Sequence, residues 1–130
     1  MPMRVLVVED EPLIALDLVD ILTEGGFQVL GPVSLVADAL RLIESEGCDA
    51  AVLDVNLGRE TAEPIAMYLR ECGTPFLVLS GYSRAQHPPG FDGAPSLAKP
   101  VSSTDLIREV SRLGAQRQPF QASRNWPDAE

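Results

Sequence analysis

Short, unbroken apolar runs alternate along the chain with stretches whose apolar residues recur every three or four positions. Arg4 to Val8 is the first run and predicts a strand. From Pro12 the period changes. Ile14, Leu18, Ile21 and Leu22 are spaced i, i+4, i+7 and i+8 and define one helical face, while Asp17, Asp20 and Glu24 point elsewhere. Pro12 suits a first helical turn, where a missing N–H costs little, and Gly25-Gly26 stops the helix. Phe27 to Leu30 reads as a short strand broken by Gly31-Pro32. Val36, Ala39, Leu40 and Ile43 mark a second helix, with Gly47 near its end. Ala51 to Asp54 is a third strand. Ile65, Tyr68, Leu69 and Cys72 mark a third helix followed by Gly73, and Phe76 to Leu79 is a fourth strand. Such continuously apolar runs fit strands covered on both faces.

The rhythm then breaks. Tyr82 to Pro95 carries Pro88, Pro89, Gly90, Gly93 and Pro95, so the fourth helix of the alternation is degraded to at most one turn around Ser83 to His87. Leu97-Ala98 is a brief fifth strand. Ser102 with Asp105 reads as a capping box opening the last helix, whose inner stripe is Leu106, Val110 and Leu113. The pattern is lost from Gln116. The expected division is a domain over residues 1–116 and a poorly ordered tail over 117–130 that includes Trp126. Strand–helix alternation at this length predicts a doubly wound α/β fold with a five-stranded parallel sheet in the order 2-1-3-4-5. In such sheets the site lies beyond the carboxyl ends of the strands, between strands 1 and 3.

Charge and composition narrow the options. A net charge of −9 argues against nucleic-acid or anionic-membrane partners, which need a basic footprint. Cys48 and Cys72 lack metal-motif spacing and read as two buried free thiols rather than a disulfide, in keeping with a reducing compartment. The start lacks the length of a signal peptide, and no apolar stretch reaches the roughly 20 residues of a membrane helix. The expectation is a cytoplasmic protein.

The predicted topology gathers charged residues at one edge. Glu9-Asp10-Glu11 follow the first strand, Asp54 ends the third, Ser80-Gly81 end the fourth, and Lys99-Pro100 end the fifth. Two carboxylates about 4 Å apart repel by roughly 4 kcal/mol at an effective dielectric of 20. A Mg²⁺ ion (or Mn²⁺) relieves that cost, since it takes hard oxygen ligands and often shares its site with phosphate. Asp10 and Asp54 are candidate direct ligands, Glu9 a ligand through water, and Asn56 a backbone-carbonyl ligand. Asp54 is then a candidate nucleophile for phosphoryl transfer, a reaction lowered mainly by in-line positioning and charge neutralisation. Lys99, the only lysine, supplies a compact point charge, and Ser80 a hydroxyl for a phosphoryl oxygen. A phosphorylated aspartate would draw Ser80 and Lys99 toward it and move their loops. His87, the only histidine, lies in the Pro-rich stretch and reads as neither metal ligand nor phosphorylation site.

Over about residues 3 to 115 the chain resembles a bacterial two-component response regulator receiver domain, a flavodoxin-like fold. By that resemblance Glu9 and Asp10 match the acidic pair, Asp54 the phosphoacceptor, Ser80 the hydroxyl and Lys99-Pro100 the Lys-Pro signature, a bond commonly cis in the family. The family's usual aromatic switch position, three before the lysine, is Ser96 here. Pro75-Phe76-Leu77-Val78-Leu79-Ser80-Gly81-Tyr82 is similar to the signature of the receiver subgroup called FATGUY, whose members are often stand-alone. That likeness makes Tyr82 the candidate replacement for the aromatic, and Ser80, Tyr82, Lys99 and Pro100 the candidate switch set. It implies a sensor histidine kinase, of the HWE or HisKA2 type, or a phosphotransfer protein as donor, and an unnamed downstream protein. The expected function is acceptance of a phosphoryl group on Asp54, followed by phosphorylation-dependent protein interaction or action as a phosphate sink. The chain is then no enzyme beyond assisting its own phosphorylation and dephosphorylation. A monomer is expected, because the face that includes the degraded fourth helix often mediates receiver pairing. Two other classes fit these residues less well. A Mg²⁺-dependent phosphatase or phosphotransferase lacks the cap domain and the first-strand nucleophile it needs, and a phosphorylation-independent docking module has no use for mutually repelling acids.

Overall fold

The computed structural model describes residues 2–81 and 87–116. Its elements are β1 (Arg4–Val8), α1 (Pro12–Glu24), β2 (Gln28–Val33), α2 (Val36–Glu46), β3 (Ala50–Asp54), a hairpin of β4 (Asn56–Leu57) and β5 (Glu60–Thr61), α3 (Glu63–Glu71), β6 (Phe76–Ser80), β7 (Ser96–Ala98) and α4 (Ser103–Gln116). The five main strands form one sheet in the order β2-β1-β3-β6-β7, with every neighbouring pair parallel. This is the expected 2-1-3-4-5 arrangement.

Successive residues of a strand face opposite sides of a sheet, and the two cores divide accordingly. Leu6 and Val8 of β1 with Ala51 and Leu53 of β3 pack under α2 and α3. Val5, Val7, Ala50 and Val52 pack under α1 and α4. Leu6, Leu53, Leu77 and Leu79 are each fully buried, and each such side chain contributes about 1.5–3 kcal/mol relative to an exposed one. The predicted helical stripes supply the covers: Leu18 and Leu22, Ala39 and Ile43, Ile65 and Leu69, and Leu106, Val110 and Leu113 are all buried. Ser102 Oγ accepts the Asp105 backbone N–H at 3.1 Å and so caps α4, whereas the Asp105 carboxylate turns to Arg108. Cys48 and Cys72 are buried thiols outside any disulfide, and burial pushes the Cys48 thiol up to about 12.

One expectation needs correction, and one feature is new. Gly31-Pro32 does not break β2, which runs on to Val33 through a cis Gly31-Pro32 bond. β2 lies at the sheet edge, where a proline without an N–H removes no ladder bond. The register against β1 shifts between Leu6 and Val8, and Glu9 N–H closes the pairing on Val33 O at 3.0 Å. The hairpin over Asn56–Thr61 has no counterpart in the hydrophobic pattern, because two-residue strands show no alternation.

Where a fourth long helix was expected to be degraded, the described part of the segment, from His87 onward, holds a single 3₁₀ turn, Pro89–Phe91. Phe91 is buried in the α2/α3 core. The turn is fastened to both ends of α3. Gly90 N–H donates to Glu63 Oε2 at 2.8 Å, Arg70 Nε donates to Gly90 O at 3.0 Å, and Arg70 Nη2 donates to Asp92 O. The Arg70 guanidinium also lies 5.2 Å from the centre of the Phe76 ring. His87 packs edge-on against Phe91. Tyr82, the turn expected from Ser83, and the tail from residue 117 with Trp126 lie outside the described residues.

Candidate functional site

Because the strands are parallel, their carboxyl ends share one edge, and each candidate residue is the first or second beyond an apolar run. Glu9 follows β1. Its side chain is fully buried, Oε1 accepts from Lys99 Nζ at 2.8 Å, and Oε2 accepts the Glu11 backbone N–H at 3.1 Å. Asp10, next in the chain, is exposed. Asp54 closes β3 with 8% of its surface exposed, and its Oδ2 lies 3.1 Å from Lys99 Nζ. Ser80 closes β6, is buried, and pairs across the ladder with Ala98; its carbonyl accepts the Lys99 N–H at 3.1 Å. Lys99 precedes a cis bond to Pro100. Asn56 begins the hairpin two residues beyond Asp54. At the hairpin turn, Gly58 has φ +66°, and a Cβ there would stand 3.8 Å from Asp10 Oδ2, so the turn passes beside Asp10. Ser96, at the usual aromatic position, opens β7.

The electrostatics follow from this packing. One oxygen from each of Glu9, Asp10 and Asp54 lies within 4.8 Å of the others. Burial, and next the charge of Glu9, push the Asp54 carboxyl up to about 6, with Lys99 pulling the other way. For Lys99 burial alone acts downward, but the Glu9 hydrogen bond and the attraction of Asp54 outweigh it and hold the ammonium above its ordinary range. Three carboxylates against one ammonium leave an excess of hard, anionic oxygen. That donor set fits a small divalent cation.

All five residues that the sequence placed in one pocket share this edge, and Asn56 stands beside them. The direct Glu9–Lys99 pairing was not foreseen. The sequence reading gave Glu9 to a cation and Lys99 to a phosphate, and no spacing rule links residues 90 positions apart. The part of Gly58 was missed too, although a glycine between Leu57 and Arg59 is an ordinary turn signal.

A parallel five-stranded sheet with the acids at its switch point is the receiver class of the flavodoxin-like folds. Solved structures agree. A CheY-like response regulator receiver domain protein from Methanospirillum hungatei JF-1 matches with a TM-score of 0.78 at 24% identity, over 89% of this chain and 97% of that one. SdrG from Sphingomonas melonis Fr1 is 38% identical over 86% of this chain and 96% of its own, with a TM-score of 0.75, and the BeF3-activated conformation of SdrG matches at 0.73. The transcriptional regulatory protein PdtaR of Mycobacterium tuberculosis is 32% identical over 113 residues, which are 84% of this chain and 55% of PdtaR. The chain thus spans about half the length of the curated relatives it matches. No protein-family model matches the sequence. The chain belongs to the response regulator receiver domains of two-component systems. Among the described residues no helix is long and apolar enough to cross a membrane.

Proposed function

We propose that the protein accepts a phosphoryl group on Asp54 from a phosphohistidine donor, a sensor histidine kinase or a phosphotransfer protein. The observation that carries this reading is the buried Asp54 carboxylate, 3.1 Å from the only lysine and grouped with two further acids at the open edge of the sheet. An Asp54 oxygen attacks phosphorus in line. The bond from phosphorus to the donor nitrogen breaks, and its electron pair stays with the imidazole. Lys99 balances charge on the oxygens that arrive, and the Ser80 hydroxyl bonds one of them. Asp10 and Asp54 would hold Mg²⁺ or Mn²⁺ directly, with the Asn56 carbonyl as a further ligand and Glu9 acting through water. Such an ion, when bound, would neutralise phosphoryl charge. The chain acts as a phosphoacceptor and turns over only its own acyl phosphate.

The output is a change in protein affinity or the draining of phosphate from a partner. Ser80 and Lys99 move toward the modified Asp54, with Pro100 and Tyr82 completing the switch. The Pro75–Tyr82 signature supports a FATGUY-type receiver paired with an HWE or HisKA2 kinase; the degraded fourth helix supports a monomer, and the proposed compartment is the cytoplasm. The test is intact-mass measurement after acetyl phosphate with Mg²⁺, and spectroscopy after beryllofluoride, on wild type and Asp54→Asn. One phosphoryl mass and a spectral change in the wild type alone are expected. An unlabelled wild type, or a labelled Asp54→Asn, sinks the reading.

A further inference from the structure

Arg59 stands at the tip of the hairpin whose turn passes beside Asp10. β4 and β5 pair Asn56 with Thr61 and Leu57 with Glu60, which leaves Gly58 and Arg59 as a two-residue turn. Consecutive Cα atoms are about 3.8 Å apart, so Arg59 springs from the backbone immediately beside the glycine that closes on Asp10. The base of the hairpin is fixed. Leu57 is buried, Ala62 N–H donates to Val55 O at 2.8 Å, and Glu60 Oε2 accepts the Val36 N–H at 3.5 Å.

Four of the other described cations are ion-paired. Arg41 is paired with Asp38, Arg108 with Asp105, Arg112 with Glu109, and Lys99 with Glu9 and Asp54. Arg59 is exposed and has no ion pair or side-chain hydrogen bond among the described residues, although Glu60 adjoins it and Asp10 lies beneath the turn. In a chain of net charge −9, an unspent guanidinium borne by the residue next to Gly58, whose turn passes beside Asp10, offers an incoming anion an attractive pole. Its planar fork matches two phosphoryl oxygens at once, and it sheds water more readily than an ammonium does.

Resting on the phosphoacceptor reading of Asp54, we infer that Arg59 is an anion-binding residue that captures the phosphoryl oxygens of the incoming donor at the mouth of the site. The recognised chemistry is the phosphoryl group itself, common to acyl phosphates and to phosphorus–nitrogen donors such as phosphohistidine. It is not the carrier to which that group is attached.

The test is the second-order rate constant for labelling of the full chain by acetyl phosphate and, separately, by phosphoramidate, in Mg²⁺ and across a range of ionic strength. Wild type is compared with Arg59→Ala, Arg59→Lys and Arg59→Glu. Arg59→Ala is expected to slow both donors about three- to tenfold, Arg59→Glu more, and Arg59→Lys is expected to recover part of the loss. Arg59→Ala should also flatten the fall of rate with added salt, while its thermal midpoint stays at the wild-type value. A purely structural role would move the midpoint and leave the salt slope alone, which overturns the inference. Slowing with acetyl phosphate only also overturns it, because the acetyl carrier is then what is read. A labelled wild type matched by Arg59→Ala in rate and salt slope overturns this inference alone. A wild type that takes no label removes the Asp54 reading and this one with it.

Discussion

Glu9 with Lys99, and Glu63 with Arg70, are each an acid and a base, yet they do opposite things. On α3 the two side chains do not meet each other. Each turns to backbone groups of the Pro89–Phe91 turn, so every bond they form satisfies a polar group that packing would otherwise strand. At the sheet edge the acid and the base do meet, but Lys99 faces both Glu9 and Asp54 and cannot neutralise both. The first arrangement is structural and stabilising. The second holds anionic charge at a cost, and such residual cost is what a bound cation can relieve. Opposite signs in mutagenesis therefore separate the two.

The largest effect is expected from Lys99→Met, which leaves Glu9 and Asp54 facing each other. Urea unfolding at pH 7.5 without Mg²⁺ should show a loss of about 2–3 kcal/mol, shrinking toward pH 4 as Asp54 takes up a proton. A loss unchanged by pH would mean that packing of the lysine stem, not charge, is at stake. Next comes Gly90→Ala. A Cβ there would lie 2.5 Å from Glu63 Cγ, so the Glu63 side chain must swing away and surrender the Gly90 N–H, at about 1–2 kcal/mol. Labelling of Asp54 should be retained, which keeps the fastening distinct from the site.

Asp54→Asn should act in the other direction and stabilise the protein by about 1 kcal/mol at pH 7.5, a figure reduced for solvent screening. The sign follows from the raised carboxyl pKa. The native state binds the proton more tightly than the unfolded chain, so this contribution is complete below about pH 4, where the unfolded group is protonated. It is lost as pH rises through about 6. The wild type should therefore lose stability across that window, and Asp54→Asn should show a flatter profile. Added Mg²⁺ should raise the thermal midpoint of the wild type more than that of the variant. Equal slopes and equal shifts would remove Asp54 as the source of strain. The smallest change is expected from Arg70→Lys, which keeps the cation over Phe76 but loses the fork between Gly90 O and Asp92 O. A loss of under about 1 kcal/mol in the same urea series would agree.

The same contrast explains what could be read without coordinates. Glu9, Asp10, Asp54, Ser80 and Lys99 were legible because each ends an apolar run, and a parallel sheet must bring the ends of its strands to one edge. Leu18, Ile43, Leu69 and Val110 were legible because helical period fixes a face. The hold of Glu63 and Arg70 on residues 90 to 92 was not, since side chain-to-backbone bonds spanning 20 to 27 positions leave no period. Nor was the course of β2 through Gly31-Pro32, because a proline signals a break unless its strand is known to lie at the edge. The Gly58–Arg59 turn escaped for want of length in the strands it joins.

Lys99 has one further consequence. Apart from the α-amino group, this chain offers an acylating reagent a single amine, and that amine is the one clasped between Glu9 and Asp54. Its chemical availability is therefore a built-in gauge: the rate at which a mild amine reagent consumes it tracks, without any introduced label, whether the clasp is shut or has been surrendered to another anion.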